Sequence, residues 1–165
     1  CDTITELLEI RTGKLAGFLT ESRISQRGDQ LPLTTEVALD ILDDHKKGFF
    51  LVVEGSEIDG GGHSNDMAFT VEEMLDFDRT VGKALAFASR NHRTLVVVLS
   101  DHETGGLTLV DGEISSGKIT GRFSTTGHTG LMVPVFAYGP GADLFSGIDE
   151  NTSLFNKFIK LLRLK

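Results

Sequence analysis

A chain of 165 residues with 16 Lys and Arg against 24 Asp and Glu carries a formal charge of −8. That charge argues against nucleic acid and anionic membrane as partners, unless bound metal reverses the local sign. The length suits one domain with a real core rather than two, and the 39% hydrophobic fraction, with no apolar run long enough to cross a bilayer, excludes both a disordered chain and a helical membrane span. Cys1 is the sole cysteine, so no internal disulfide is available. The chain starts without Met or a secretion signal, which leaves its processing open.

In chain order, Ile4, Leu7 and Leu8 fall on one short helical face, Lys14 to Leu19 reads as a turn or short strand, and Arg23 to Gln30 as a surface loop closed by Pro32. A helix is expected next, with Thr34 as N-cap and Glu36 in the first turn. Val37, Ala38, Ile41 and Leu42 form its stripe, Lys46 and Lys47 sit at the negative end of its dipole, and Gly48 is the stop. Phe49 to Val53 is an apolar run with the character of a strand buried on both faces. From Asp66 to Arg90 the residues Met67, Val71, Met74, Val81, Leu85 and Ala88 recur with helical period, and Asp78 is the one polar member of the row. Thr94 to Ser100 is a second buried strand, so strand, helix and strand read as a βαβ unit with a parallel pair. Leu107 to Val110 and Lys118 to Phe123 form a hairpin around Asp111 and Gly112, Val133 to Tyr138 is a third buried strand, and a last helix covers Thr152 to Leu162. The expected class is α/β, with these three strands in one mostly parallel sheet flanked by helices.

The chemistry gathers at two strand ends. Glu54, Asp59 and His63 follow the first strand within a segment whose glycines let the backbone close around something small, and Asp101 and His102 follow the second. Carboxylates and imidazoles are ligands for Zn²⁺ or Mg²⁺ once deprotonated. Neighbouring strand residues point to opposite faces, so Asp101 and His102 serve one site only if the chain leaves the pleat, which Gly105 and Gly106 permit. The bland alternative for either segment alone is an acidic turn before a helix. His45 and His92 lie near expected helix C-termini, where a dipole or solvated role is sufficient.

The ordered set of Glu54, Asp59 and His63, the string Asp101-His102-Glu103-Thr104-Gly105-Gly106, and His128-Thr129-Gly130 resembles the C-terminal part of the alkaline phosphatase family. The similarity runs over roughly Leu33 to Leu162 and includes GFFLVVEGS and FAYGP. It implies that residues 1–165 are a single C-terminal portion of an alkaline phosphatase-like catalytic domain, with 1–32 a poorly defined lead-in and the fold incomplete because the N-terminal portion is absent. Family members cleave phosphate monoesters through a phosphoserine, using two Zn²⁺ and one Mg²⁺. Carried over, Asp59, His63 and His128 resemble ligands of the first zinc, Asp101 and His102 of the second, and Glu54 a magnesium ligand. The implied partners are small phosphate monoesters, the missing N-terminal portion and, in a homodimer, a second copy. The implied location is periplasmic or extracellular.

The chain departs from the family pattern in what it lacks. The nucleophilic serine, an aspartate bridging the second zinc and magnesium, and a phosphate-clamping arginine lie upstream in the family. Ser56, Ser64 and Ser100 sit near the ligands but suit turn or cap roles. Three glycines stand between Asp59 and His63, where many relatives carry a larger or charged side chain that tunes the bound phosphate. The resemblance therefore implies an active parent enzyme and an inactive isolated chain. The alternatives are another hydrolase of the superfamily, a phosphodiesterase, sulfatase or phosphoglycerate mutase, and a metal-binding domain without catalysis.

Overall fold

In the computed structural model, which describes residues 1–19 and 21–164, the longest element is α5 (Met67–Asn91). Of the expected span 1–165, Thr20 and Lys165 lie outside the described residues. Asp66 caps α5, its carboxylate accepting the Phe69 N–H at 3.1 Å and satisfying one donor that the first turn leaves free. His92, in the left-handed region at φ 54°, ends the helix with its N–H on the Ala88 carbonyl. Helices α1 (Ile4–Glu9) and α3 (Gln30–Asp43) pack alongside, burying Leu7, Val37 and Leu39 next to Phe69, Phe87 and Ala88 of α5. This helical layer holds most of the apolar core among the described residues.

Two expectations fail in this layer. Pro32 closes no loop: α3 starts at Gln30 and takes Pro32 into its first turn, where a missing N–H costs no hydrogen bond. Thr34 consequently lies inside the helix, its hydroxyl donating to the Leu31 carbonyl at 3.1 Å, and caps nothing. Within the expected loop Arg23 to Gln30 there is also a single helical turn, α2 (Ile24–Arg27). It is lashed to α5 by charge. The Ile24 N–H donates to Glu73 Oε1 at 2.6 Å, and the Arg27 guanidinium bonds both Glu73, at 2.9 Å, and Asp76. Arg79 reaches the other Asp76 oxygen at 2.8 Å. Glu73 and Asp76 are 2% and 0% exposed, so Asp78 is not the only polar residue on the inward row. Carboxylates this deeply buried persist only when paired and hydrogen-bonded.

The parallel sheet is not formed. Strands β1 (Val96–Leu99), β2 (Glu103–Thr104), β3 (Thr108–Glu113), β4 (Lys118–Arg122), β5 (His128–Thr129) and β6 (Val135–Tyr138) make three two-stranded sheets, β1 with β6, β2 with β5 and β3 with β4, all antiparallel. Phe49 to Val53 joins no ladder among the described residues. Its burial alternates between half-buried and exposed, the period of an extended chain covered on one face, where burial on both was expected. Phe49 rests edge-on against Phe87 of α5, and Phe50 against Phe158 of α6 (Ser153–Leu162). Val96, Val97 and Val98 are half-buried, and Val135, Phe136 and Tyr138 exposed. The physical reason is that apolar β-branched runs specify a pleated backbone but neither its direction nor its partner. The β3–β4 hairpin turns through a 3-10 turn at Ile114–Ser116, with a bulge between Leu109 and Asp111 where the turn was expected. No described helix is long and apolar enough to cross a membrane.

Candidate metal centre

The segment between Gly55 and Asn65 is helical: α4 (Glu57–His63) has the sequence EIDGGGH. Three successive glycines disfavour a helix, so tertiary packing must reward them. A Cβ on Gly61 would lie 2.5 Å from Thr70 Oγ1 and 2.8 Å from its backbone nitrogen, and one on Gly62 2.9 Å from Thr104, backbone oxygen included. These glycines let α4 press against α5 and β2. They do not fold the backbone around an ion, as the sequence reading had it. The helix also sets the ligands: Asp59 and His63, four apart, share one face.

His102 and His128 arrive through the smallest sheet. After β1 the chain leaves the pleat as expected and enters β2, where Thr104 pairs with His128 and Glu103 with Thr129 of β5. Gly105 and Gly106, at φ +89° and +59°, turn the chain out again. Glu103 ties the turn to β5: its carboxylate accepts from the Gly106 and Leu107 N–H groups, each at 3.0 Å, and from the Thr129 hydroxyl. Burial pushes its pKa up, but these three hydrogen bonds and the neighbouring His102 outweigh it and hold the group below the ordinary 4.5.

The side chains converge as follows. His63 Nε2 lies 3.3 Å from Asp59 Oδ2, His128 Nε2 lies 3.5 Å from Asp59 Oδ1, and the two Nε2 atoms are 3.2 Å apart. His102 stacks on His128 with ring centroids 3.6 Å apart, and its Nε2 is 3.3 Å from Asp101 Oδ2. One ligand atom each from Asp59, His102 and His128 lies within 4.8 Å of the others. Tautomers follow from the outer partners. His63 Nδ1 is 2.6 Å from the Thr126 carbonyl, which can only accept, so Nδ1 carries the proton and the neutral ring turns a bare Nε2 inward.

A lone pair of His63 thus faces a carboxylate and a second imidazole nitrogen at close range, an arrangement that calls for a cation. The donor set fits Zn²⁺: nitrogen and oxygen ligands about 2.0–2.1 Å from a tetrahedral ion stand about 3.4 Å apart, and the separations here are 3.2, 3.3 and 3.5 Å. The structure thus brings together Asp59, His63 and His128, with His102 against them and Asp101, itself exposed, at the rim. No hydrogen bond or ion pair among the described residues joins the exposed Glu54 to this cluster. Ser64 donates to the Gly60 carbonyl and Ser100 to that of His102, the turn roles expected of them. Sequence reasoning assigned no role to Thr104, whose hydroxyl bonds Asp59 and lies 3.2 Å from His102 Nδ1. The only signal for it was its place in the ligand string.

A family model described as alkaline phosphatase matches residues 22–122. Alkaline phosphatase 4 of Bacillus subtilis (strain 168) is 31% identical over 78% of this chain and 42% of its own length. The structure of alkaline phosphatase from the Antarctic bacterium TAB5 superposes with a TM-score of 0.86 at 39% identity, covering 97% of this chain and 50% of that one. A mutant of the TAB5 enzyme with Mg bound in its M3 site gives 0.84 at 37%, covering 100% and 51%. The chain spans about half the length of these relatives or less. With a matched segment of more than half the chain that runs through α4 and β2, and with likeness in sequence and structure alike, the chain belongs to the alkaline phosphatase family.

Proposed function

We propose that this chain supplies the metal-binding half of a phosphomonoesterase acting on small phosphate monoesters. The observation that carries this reading is the convergence of Asp59, His63 and His128 at the edge lengths of a zinc tetrahedron. Asp59, His63 and His128 would hold the first zinc, Asp101 and His102 the second, and Glu54 a magnesium. When bound, the zinc pair supplies Lewis acidity toward phosphoryl oxygens and a lowered pKa for an oxygen nucleophile. The chain's own residues keep this centre in place: Thr126 orients His63, Glu103 secures the strand that carries His128, and close packing at Gly61 and Gly62 fixes α4.

The nucleophilic serine comes, in this proposal, from the half of the family's length that the chain does not span. Neither Ser64 nor Ser100 is free, each hydroxyl being directed to a backbone carbonyl. The same absent half is the first partner, a second copy a further one, and the setting is periplasmic or extracellular. Hydrolysis of p-nitrophenyl phosphate, bis(p-nitrophenyl) phosphate and p-nitrophenyl sulfate, with Zn²⁺ and Mg²⁺, tests the reading. The chain should be assayed alone and co-expressed with the uncovered half of TAB5 alkaline phosphatase. Monoester turnover confined to the pair is the expected result. Faster diester or sulfate hydrolysis would assign the chain to another branch of the superfamily, and no zinc uptake at all would remove the enzymatic reading.

A further inference from the structure

Thr104 sits in β2 between the two sets of ligands, half-buried, its side chain packed beneath Gly62 of α4. Its hydroxyl oxygen is within hydrogen-bond reach of two groups: Asp59 Oδ1 and His102 Nδ1, the latter at 3.2 Å. A hydroxyl has one proton to give and lone pairs to receive others. The carboxylate of Asp59 can only accept, so the proton goes there. The remaining contact is then satisfied when His102 Nδ1 carries the hydrogen and donates it to the Thr104 oxygen. A neutral His102 in that tautomer has a bare Nε2, and that atom is the one lying 3.3 Å from Asp101 Oδ2.

On this basis, and resting on the metal reading above, we infer that Thr104 is a positioning residue that serves both ligand sets through one hydroxyl. It holds Asp59 by one oxygen and selects the tautomer of His102 that turns a lone pair toward Asp101. His63 obtains the same tautomer from a backbone carbonyl, whereas His102 depends on a side chain that substitution can remove. Outer-shell partners of metal-binding histidines typically change affinity about 10- to 100-fold when removed. Because Thr104 touches a member of each set, its loss should weaken both.

The test compares the full chain with its T104V and T104S variants. Valine keeps the shape that packs under Gly62 and deletes the hydroxyl; serine keeps the hydroxyl and deletes the methyl. Zinc affinity, measured by competition with a chromophoric chelator, should fall about 10- to 100-fold in T104V and stay within about threefold of the parent in T104S. Thermal unfolding of the metal-free chains should place T104V close to the parent. Independently of metal, ¹⁵N NMR at pH 8 should show His102 protonated at Nδ1 in the parent and as a tautomer mixture in T104V. Parent-like zinc affinity in T104V, an equal loss in T104S, or an Nε2-protonated His102 in the metal-free parent would overturn the assignment. A parent that takes up no zinc would instead sink the metal reading, and the NMR arm would still decide the role of Thr104.

Discussion

Each ligand in the cluster is held by a partner outside it, and this makes the residues unequal under substitution. His63 and His128 face each other and Asp59 across distances that one ion can span, so His63→Ala or His128→Ala should lower zinc affinity at least tenfold in calorimetric titration. Glu54 is exposed and joined to none of them, so Glu54→Ala should leave that affinity within about twofold. Equal losses in all three variants would refute the division. Away from the centre, Arg27 is the residue on which stability depends most sharply. Removing it strands Glu73 and Asp76 in the interior, and Arg27→Met should cost about 3–5 kcal/mol in urea unfolding. Arg79→Ala, at a half-exposed side chain, should cost clearly less. The ligand residues were legible in the sequence because metal chemistry is written in side-chain type. Arg27, Glu73 and Asp76 were not, since charges on a helix look alike until the fold shows which are covered.

At the scale of elements, α4 is held together against its own composition. Gly60 is the test of this, because a Cβ there meets only the far end of the Glu57 side chain at 3.0 Å. Gly60→Ala should therefore gain from helix propensity, up to about 1 kcal/mol. Gly61→Ala and Gly62→Ala, which collide with the backbones of Thr70 and Thr104, should instead cost about 1–3 kcal/mol. Chemical denaturation of the three variants gives the signs directly, and a stabilised Gly62→Ala would contradict the close approach. The same element marks a boundary of sequence reading. Periodicity identified α5 and α6 almost to the residue, since amphipathic patterning is local. A run of glycines carries no such pattern, and a helix that exists by virtue of a neighbour's surface is invisible without the neighbour. Strand pairing failed for the same reason: β1 finds β6, about 40 residues on, by a contact that local composition does not encode.

The whole molecule presents an apolar surface that a domain of this size would ordinarily cover. Val52 is 73% exposed and Phe136 65%, and a groove between α5 and the β1–β6 pair is lined by Met74, Phe77, Val81, Val96 and Tyr138. Patches of this kind mark surfaces meant for contact. The chain on its own should therefore self-associate or bind a hydrophobic dye, despite a charge of −8 that opposes association. Sedimentation velocity and dye fluorescence measure this, and a strictly monomeric chain that leaves the dye dark would count against it. Co-expression with the uncovered half of a relative should suppress both signals.

The β3–β4 hairpin has a consequence for how such proteins diversify. The chain departs from the centre at Gly105 and Gly106 and returns to the same spot, with the Gly105 N–H on the Gly127 carbonyl and the Ser124 and Thr125 N–H groups on the Gly105 carbonyl. Everything between is an excursion whose stem is closed by backbone, and β3 is exposed along its full length. Lengthening, shortening or replacing that excursion leaves the distance from His102 to His128 untouched, and exposed excursions are where chains tolerate insertion. A lineage can therefore rebuild the wall that a substrate meets, many times over, without renegotiating the ions beneath it.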